Sequence, residues 1–186
     1  MRIISGSLKG KSINFVKNFN TRPLKDIVKE NIFNILKHSN FINVKIENSK
    51  VLDLYSGIGS FGIECISRGA SKVMFIEKDK SAVKILSENL VRLSIEKKTH
   101  IINDDIEKVL KEKLDNKFNI FFFDPPFADL NFINNLKLIR KKKLFHQNNI
   151  VIIHREKNAE DNLNKSLDIV AIKNYGRSKI IFGNIN

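Results

Sequence analysis

The chain is predicted to fold as α/β: a doubly wound, mainly parallel seven-stranded sheet, preceded by an N-terminal β-hairpin and helix extension. Three observations carry this. Strand and helix patterns alternate from Val51 onward, a Gly-rich turn follows the first buried strand, and the last two strands lie too close together for a helix between them. Alternation of this kind makes a parallel sheet covered on both faces, with ligands at the carboxyl ends of its strands.

The elements follow in order. Arg2 to Phe15 alternates around Gly6 and Gly10, the pattern of a short hairpin. Asp26 to His38 carries Ile27, Ile32, Ile35 and Leu36 at helical spacing, with Asp26 placed to cap it. A polar stretch, Asn40 to Lys50, precedes the first strand, Val51 to Tyr55, and the Gly-rich turn leads into a helix through Ile66. A strand at Lys72–Glu77 and a helix at Lys80–Leu93 come next, then a strand at His100–Asn103 and a helix at Asp105–Leu114. The fourth strand, Asn119–Asp124, precedes a helix at Asp129–Arg140. Strands near Ile150–His154, Leu167–Lys173 and Lys179–Phe182 finish the chain. The final two form an antiparallel pair through the Tyr175-Gly176-Arg177-Ser178 turn.

Composition narrows the function. With 186 residues the chain suits one domain. A hydrophobic fraction of 42% with 14 Phe excludes a disordered tail protein. A single cysteine, Cys65, excludes an internal disulfide and any cysteine-cluster zinc site; it packs on the first core helix. No metal is expected. Apolar runs such as Ile120 to Phe123 fall far short of the ~20 residues of a membrane helix. The opening MRIISGSLKG lacks a signal-type apolar region, so a cytoplasmic protein with no membrane partner is expected. Against 20 acidic residues stand 33 Lys and Arg, a net charge of +13, which points to a polyanionic partner.

The first strand and its turn read Asp53-Leu-Tyr-Ser-Gly57-Ile-Gly59-Ser-Phe-Gly62, and Glu77 ends the next strand. Glycines let backbone approach a ligand, and an acid at that strand end accepts both hydroxyls of an adenosine ribose. Nicotinamide dinucleotides and S-adenosylmethionine share this much. Asp53 separates them, because a carboxylate inside the first strand repels a pyrophosphate but suits ammonium and sulfonium charges.

The second signal is Asp124-Pro125-Pro126-Phe127, where the fourth strand empties into the cleft. Two prolines remove two amide donors and stiffen the turn, leaving acceptors: the Asp124 carboxylate and the Pro125 carbonyl. Acceptors holding both N–H bonds of a base amine pull its nitrogen toward tetrahedral geometry and stabilise the positive charge that develops there. Phe127 offers a face on which the base stacks. His38, His100, His146 and His154 show no ligand spacing and are expected to be structural or exposed. The Arg140-Lys-Lys-Lys143 run is expected to be a solvated helix end.

Tyr55-Ser56-Gly57-Ile-Gly59, Ile76-Glu-Lys-Asp79, Asn103-Asp-Asp105 and Asp124-Pro-Pro-Phe127 resemble the successive motifs of class I methyltransferases acting on amino groups. With Arg2-Ile-Ile-Ser-Gly6, Lys9-Gly-Lys11, Thr21-Arg22-Pro23 and Glu30-Asn-Ile-Phe-Asn34, nearly the whole chain resembles the RsmD family, which methylates a guanine N2 in 16S ribosomal RNA. The resemblance implies S-adenosylmethionine as cofactor. Tyr55, Ser56, Gly57 and Gly59 would line its methionine part, Glu77 would hold its ribose, and Asp104 or Asp105 would meet its adenine amine. Arg22 and Pro23 would close over it, and Asp124 to Phe127 would hold the target base. Departures are Leu24 for a usual threonine, Ile58 for Ser or Thr, and Ile27 and Lys29 where arginines are common.

The expected partner is 16S rRNA within a small-subunit assembly, met by a monomer. Residues 1–45 would be an RNA-binding and cofactor-covering extension, with Arg2, Lys9, Lys11 and Lys17 gripping phosphates, and residues 46–186 the catalytic core. Alternatives are another amino methyltransferase (adenine N6 of RNA or DNA), a nicotinamide-dependent oxidoreductase, and a non-catalytic RNA-binding module.

Overall fold

A computed structural model describes residues 1–15, 26–163 and 166–186. Its elements run α1 (Asp26–His38), β1 (Lys50–Leu54), α2 (Ser60–Ser67), β2 (Lys72–Ile76), α3 (Lys80–Leu93), a 3-10 turn (Glu96–Lys98), β3 (Thr99–Ile102), α4 (Ile106–Glu112), β4 (Phe118–Phe123), α5 (Phe132–Lys141), β5 (Phe145–Glu156), β6 (Asp168–Tyr175) and β7 (Ser178–Asn184). One seven-stranded sheet has the order β3-β2-β1-β4-β5-β7-β6. The first five strands are parallel, and β7 runs antiparallel to both β5 and β6.

Strand alternation divides the core into two layers. Val51, Ile120, Phe122, Ile150 and Ile152 face α1, α2 and α3, while Leu52, Leu54, Phe121, Phe123, Val151 and Ile153 face α4 and α5. Phe61 of α2 stacks between Phe33 of α1 and Phe122 of β4, at 5.1 and 4.1 Å, and so ties the extension to the sheet. Burying each such ring contributes roughly 1.5–3 kcal/mol.

The N-terminal segment is not a laddered hairpin. Its strands meet in a single antiparallel bridge, Arg2 to Ser12. The physical reason is competition for its amides. Ile4 and Ser5 donate to the buried carboxylate of Glu64 (2.8 and 3.0 Å), and Leu8 donates to Ser67 Oγ. Asn14 and Asn89 of α3 exchange two further bonds. Ile3, Leu8 and Ile13 enter the core beneath. Lys29 is fully buried; its ammonium lies 3.9 Å from Glu64 and donates to the Arg2 carbonyl. Burial lowers its pKa, opposed by Glu64 and Asp26. Among the described residues between β5 and β6 there is no helix, and Leu163 and Leu167 cover the second layer instead.

Candidate active site

Register builds the site. Leu54 pairs with Ile76 and with Phe123, Ile76 with Ile102, and Phe123 with Ile153. One residue further along, Asn103, Glu77, Tyr55, Asp124 and His154 therefore stand in one row across the carboxyl ends of five parallel strands. The row straddles the boundary between β1 and β4, where the strand order reverses. Doubly wound sheets bind ligands at such a reversal.

At the β1 end the backbone turns sharply. Tyr55 takes a left-handed conformation (φ 58°), and so does Gly59 (φ 81°), which glycine adopts without a Cβ penalty. The Gly57 amide donates to one Glu77 oxygen (2.8 Å), and the Asp79 amide donates to the other (2.9 Å). Glu77 thus clamps the turn, and Asn103 holds its strand end by donating to the carbonyls of Glu77 and Lys78. A side chain at Gly57 would meet nothing within 4 Å, so the backbone there faces open space. The Ser56 hydroxyl is buried without a hydrogen-bond partner, in the middle of this turn. Tyr55 reaches the other layer, its hydroxyl accepting from Asn135 of α5; burial raises its pKa, with Asp129 adding to the rise.

Asp53 is buried and accepts from the Gly62 amide at 2.9 Å, so it braces the start of α2. Burial pushes its pKa well up, the Gly62 bond opposes this, and Asp124 and Glu77 push it further up. Three carboxylates therefore converge on one electronegative corner. Asp105 caps α4 by accepting from the Lys108 amide (3.2 Å). Asp104 is held by Lys113 (2.7 Å), the Asp105 amide and Lys108, which draw its pKa down to about 2.

The Asp124-Pro125-Pro126-Phe127 turn leaves β4 with Phe127 exposed at 47%. Asp124 Oδ1 lies 2.7 Å from His154 Nδ1. A carboxylate can only accept, so this bond has Nδ1 protonated. Next along β5, the buried Arg155 guanidinium donates to the Pro126 carbonyl (3.2 Å) and the Phe127 carbonyl (3.0 Å). It also pairs bidentately with Asp161 (3.0 and 3.1 Å) and lies over the Phe132 ring.

His154, expected to be structural or exposed, is a structural partner here, hydrogen-bonded to the acid of the Asp124-Pro125-Pro126-Phe127 motif, and Arg155, which no sequence motif marks, holds two carbonyls of the same turn. The signal was their place at the end of the strand pairing with β4, visible only once β4 and β5 are known to be neighbours. Arg2, Lys9 and Lys11 are exposed on the N-terminal segment, whereas Lys17, Arg22 and Pro23 lie outside the described residues. No group of acidic, His and Cys residues able to hold a metal, and no helix long and apolar enough to cross a membrane, occurs among the described residues.

The family model described as Conserved hypothetical protein 95 matches residues 1–184. Ribosomal RNA small subunit methyltransferase D of Buchnera aphidicola (subspecies Baizongia pistaciae) is 33% identical over 156 residues, covering 84% of this chain and 76% of its own. Its namesake in Haemophilus influenzae is 31% identical over 159 residues, covering 84% and 79%. Among solved structures, yhhF of Escherichia coli, provisionally named a methyltransferase, has a TM-score of 0.85 at 23% identity and covers 100% of this chain and 98% of its own. At that identity the likeness bears on fold alone.

Proposed function

The chain belongs to the family of ribosomal RNA small subunit methyltransferase D, and we propose from that premise that it methylates the exocyclic N2 amine of a guanine in 16S rRNA. The reaction class is S-adenosylmethionine-dependent rRNA methylation, which sets aside the oxidoreductase and the non-catalytic module. S-adenosylmethionine supplies a methyl group made electrophilic by its sulfonium charge. The residues fit such a molecule: an orphaned Ser56 hydroxyl, an open Gly57 backbone, and Asp53 and Glu77 as anionic neighbours for a cationic ligand.

In this reading Glu77 keeps lone pairs for a ribose while its two amide bonds fix its direction, since a carboxylate accepts up to about four hydrogen bonds. Tyr55, Ser56, Gly57 and Gly59 line the cofactor, and Asp104 or Asp105 meets an adenine amine. Asp124 accepts one N–H of the target amine and the Pro125 carbonyl the other. This holds the nitrogen lone pair toward the reacting carbon and offsets the positive charge that grows on nitrogen. The Phe127 face stacks the base. Arg2, Lys9 and Lys11 hold rRNA phosphates. The enzyme works as a monomer in the cytoplasm, where its ribosomal substrate is assembled.

One observation carries the reading: Asp124 stands in the same row as Glu77, at the strand-order reversal, in a turn rich in acceptors. The test is transfer of tritiated methyl to small ribosomal subunits lacking the modification, followed by nucleoside analysis. N2-methylguanosine is expected, and N6-methyladenosine would instead establish the other amino methyltransferase. Asp124→Ala should lower turnover by about 10²-fold or more, with S-adenosylmethionine affinity held within about twofold. Near-full turnover in that variant would remove Asp124 from the chemistry.

A further inference from the structure

The Asp124-Pro125-Pro126-Phe127 turn is gripped from both faces of the sheet by two successive residues. Along a strand, neighbouring side chains point to opposite faces. His154 therefore shares the face of Ile150 and Ile152, and Arg155 that of Val151 and Ile153. Asp124, two residues beyond Phe122, emerges on the His154 face, which brings Oδ1 to 2.7 Å from Nδ1. The Phe127 ring meets the imidazole edge-on at 5.9 Å, so one histidine touches both the acid and the aromatic of the turn. On the opposite face Arg155 binds the carbonyls of Pro126 and Phe127, and its charge is matched by Asp161, also buried.

We propose that the carboxyl end of β5 is a positioning device for the methyl-accepting site, with His154 fixing the Asp124 carboxylate and Arg155 fixing the backbone of the turn. This rests on the methyl-transfer reading above.

The chemistry needs such a device. Two prolines deprive the turn of two amide donors, so at those positions its backbone can only accept, as the Pro126 carbonyl does from the Asp129 amide (2.8 Å). An unheld carboxylate also rotates freely about its side-chain bonds. A donor on Oδ1 selects one rotamer and leaves Oδ2 to accept from the amine. Arg155 offers five donors in a rigid fork, which suits it to hold two carbonyls and one carboxylate at once. A misplacement of about 1 Å can cost about 10²-fold in rate, so holding the acceptors matters more than adding another.

The test compares His154→Phe, which keeps the ring and removes the donor, with His154→Asn, whose amide nitrogen replaces Nδ1. For each, kcat and KM for the ribosomal substrate, S-adenosylmethionine affinity and the thermal midpoint are measured. His154→Phe should lose about 10-fold to 10²-fold in kcat, with KM, cofactor affinity and midpoint little changed, and His154→Asn should recover most of the loss. Arg155→Lys, which keeps the charge but breaks the fork, should lower kcat about tenfold with KM unmoved. Should Arg155→Lys not fold, the histidine pair still decides. Full kcat in His154→Phe overturns the proposal. Equal loss in Phe and Asn variants also overturns it, as does a loss that tracks cofactor affinity and midpoint. Failure of the wild-type protein to methylate at all would instead overturn the functional reading.

Discussion

Asp53 shows how much one carboxylate can be asked to do. It is buried, it braces α2 through Gly62, and Asp124 and Glu77 add repulsion to its desolvation. Its raised pKa means that folding disfavours its ionised form. The stability it contributes is present below the ordinary carboxylate value of 3.8 and is lost as pH rises through the folded value. Near neutral pH, Asp53→Asn relieves that cost while its amide oxygen can still accept from Gly62. The expected result is an unchanged or raised thermal midpoint together with S-adenosylmethionine binding weakened by about tenfold, as for loss of a charged-group hydrogen bond of roughly 1.5–3 kcal/mol. Differential scanning and titration calorimetry on one sample read both. Undiminished affinity would make Asp53 a brace and nothing more. Asp104 behaves in the opposite sense: lysines hold its pKa near 2, so its contribution is present above 3.8 and fades as pH falls toward about 2. The sequence carried the acids but not their occupations. Nothing in the spacing of Asp53 says that Gly62 will take its Oδ2, because that bond depends on how α2 docks.

At the scale of elements, docking depends on an absent side chain. A Cβ at Gly62 would lie 2.3 Å from Phe75 Cε1 and 2.7 Å from Val73 Cγ1, atoms of rigid, buried residues on β2. Gly62→Ala must therefore lift α2 from the sheet, and overpacking of this kind costs about 1–3 kcal/mol. Denaturant melts should show that loss, and methyl transfer should fall too, because α2 carries the amide bound to Asp53. An unshifted midpoint would mean that α2 slides without cost. Periodicity made these elements legible from sequence: five parallel strands and their helices stand where alternation places them. Two features were not. The strand β5 begins at Phe145, well before Ile150, because His146-Gln147-Asn148-Asn149 lacks any apolar pattern and is strand only through its neighbours. The N-terminal segment alternates like a hairpin, yet Glu64 and Ser67 capture its amides, and no local pattern reports a carboxylate sixty residues away.

For the whole molecule, the net charge of +13 must be divided between structure and recognition. Some cations are internal: Lys29, Arg68 and Arg155 pair with buried Glu64 or Asp161 and face no partner. The N-terminal segment keeps the two tasks on separate sides. Its apolar side and amides are bound to α2 and α3, whereas Arg2, Lys9 and Lys11 are exposed. Replacing Lys9 and Lys11 with Ala should then leave the fold untouched and remove only long-range attraction for phosphate. Each lost contact lowers the dependence of log affinity on log salt by about 0.7–0.9, depending on whether the nucleic acid is single-stranded or duplex. The double variant should flatten the slope for rRNA binding by at most about 1.8, weakening affinity at low salt far more than at high salt. S-adenosylmethionine affinity should not move, since neither lysine belongs to the row at the strand ends. A fluorescence titration of an rRNA fragment across a salt series measures the slope, and a parallel melt checks the fold. An unchanged slope would confine this segment to covering the first core layer, and the choice of RNA would return to the cleft around Phe127 and to cations elsewhere on the surface.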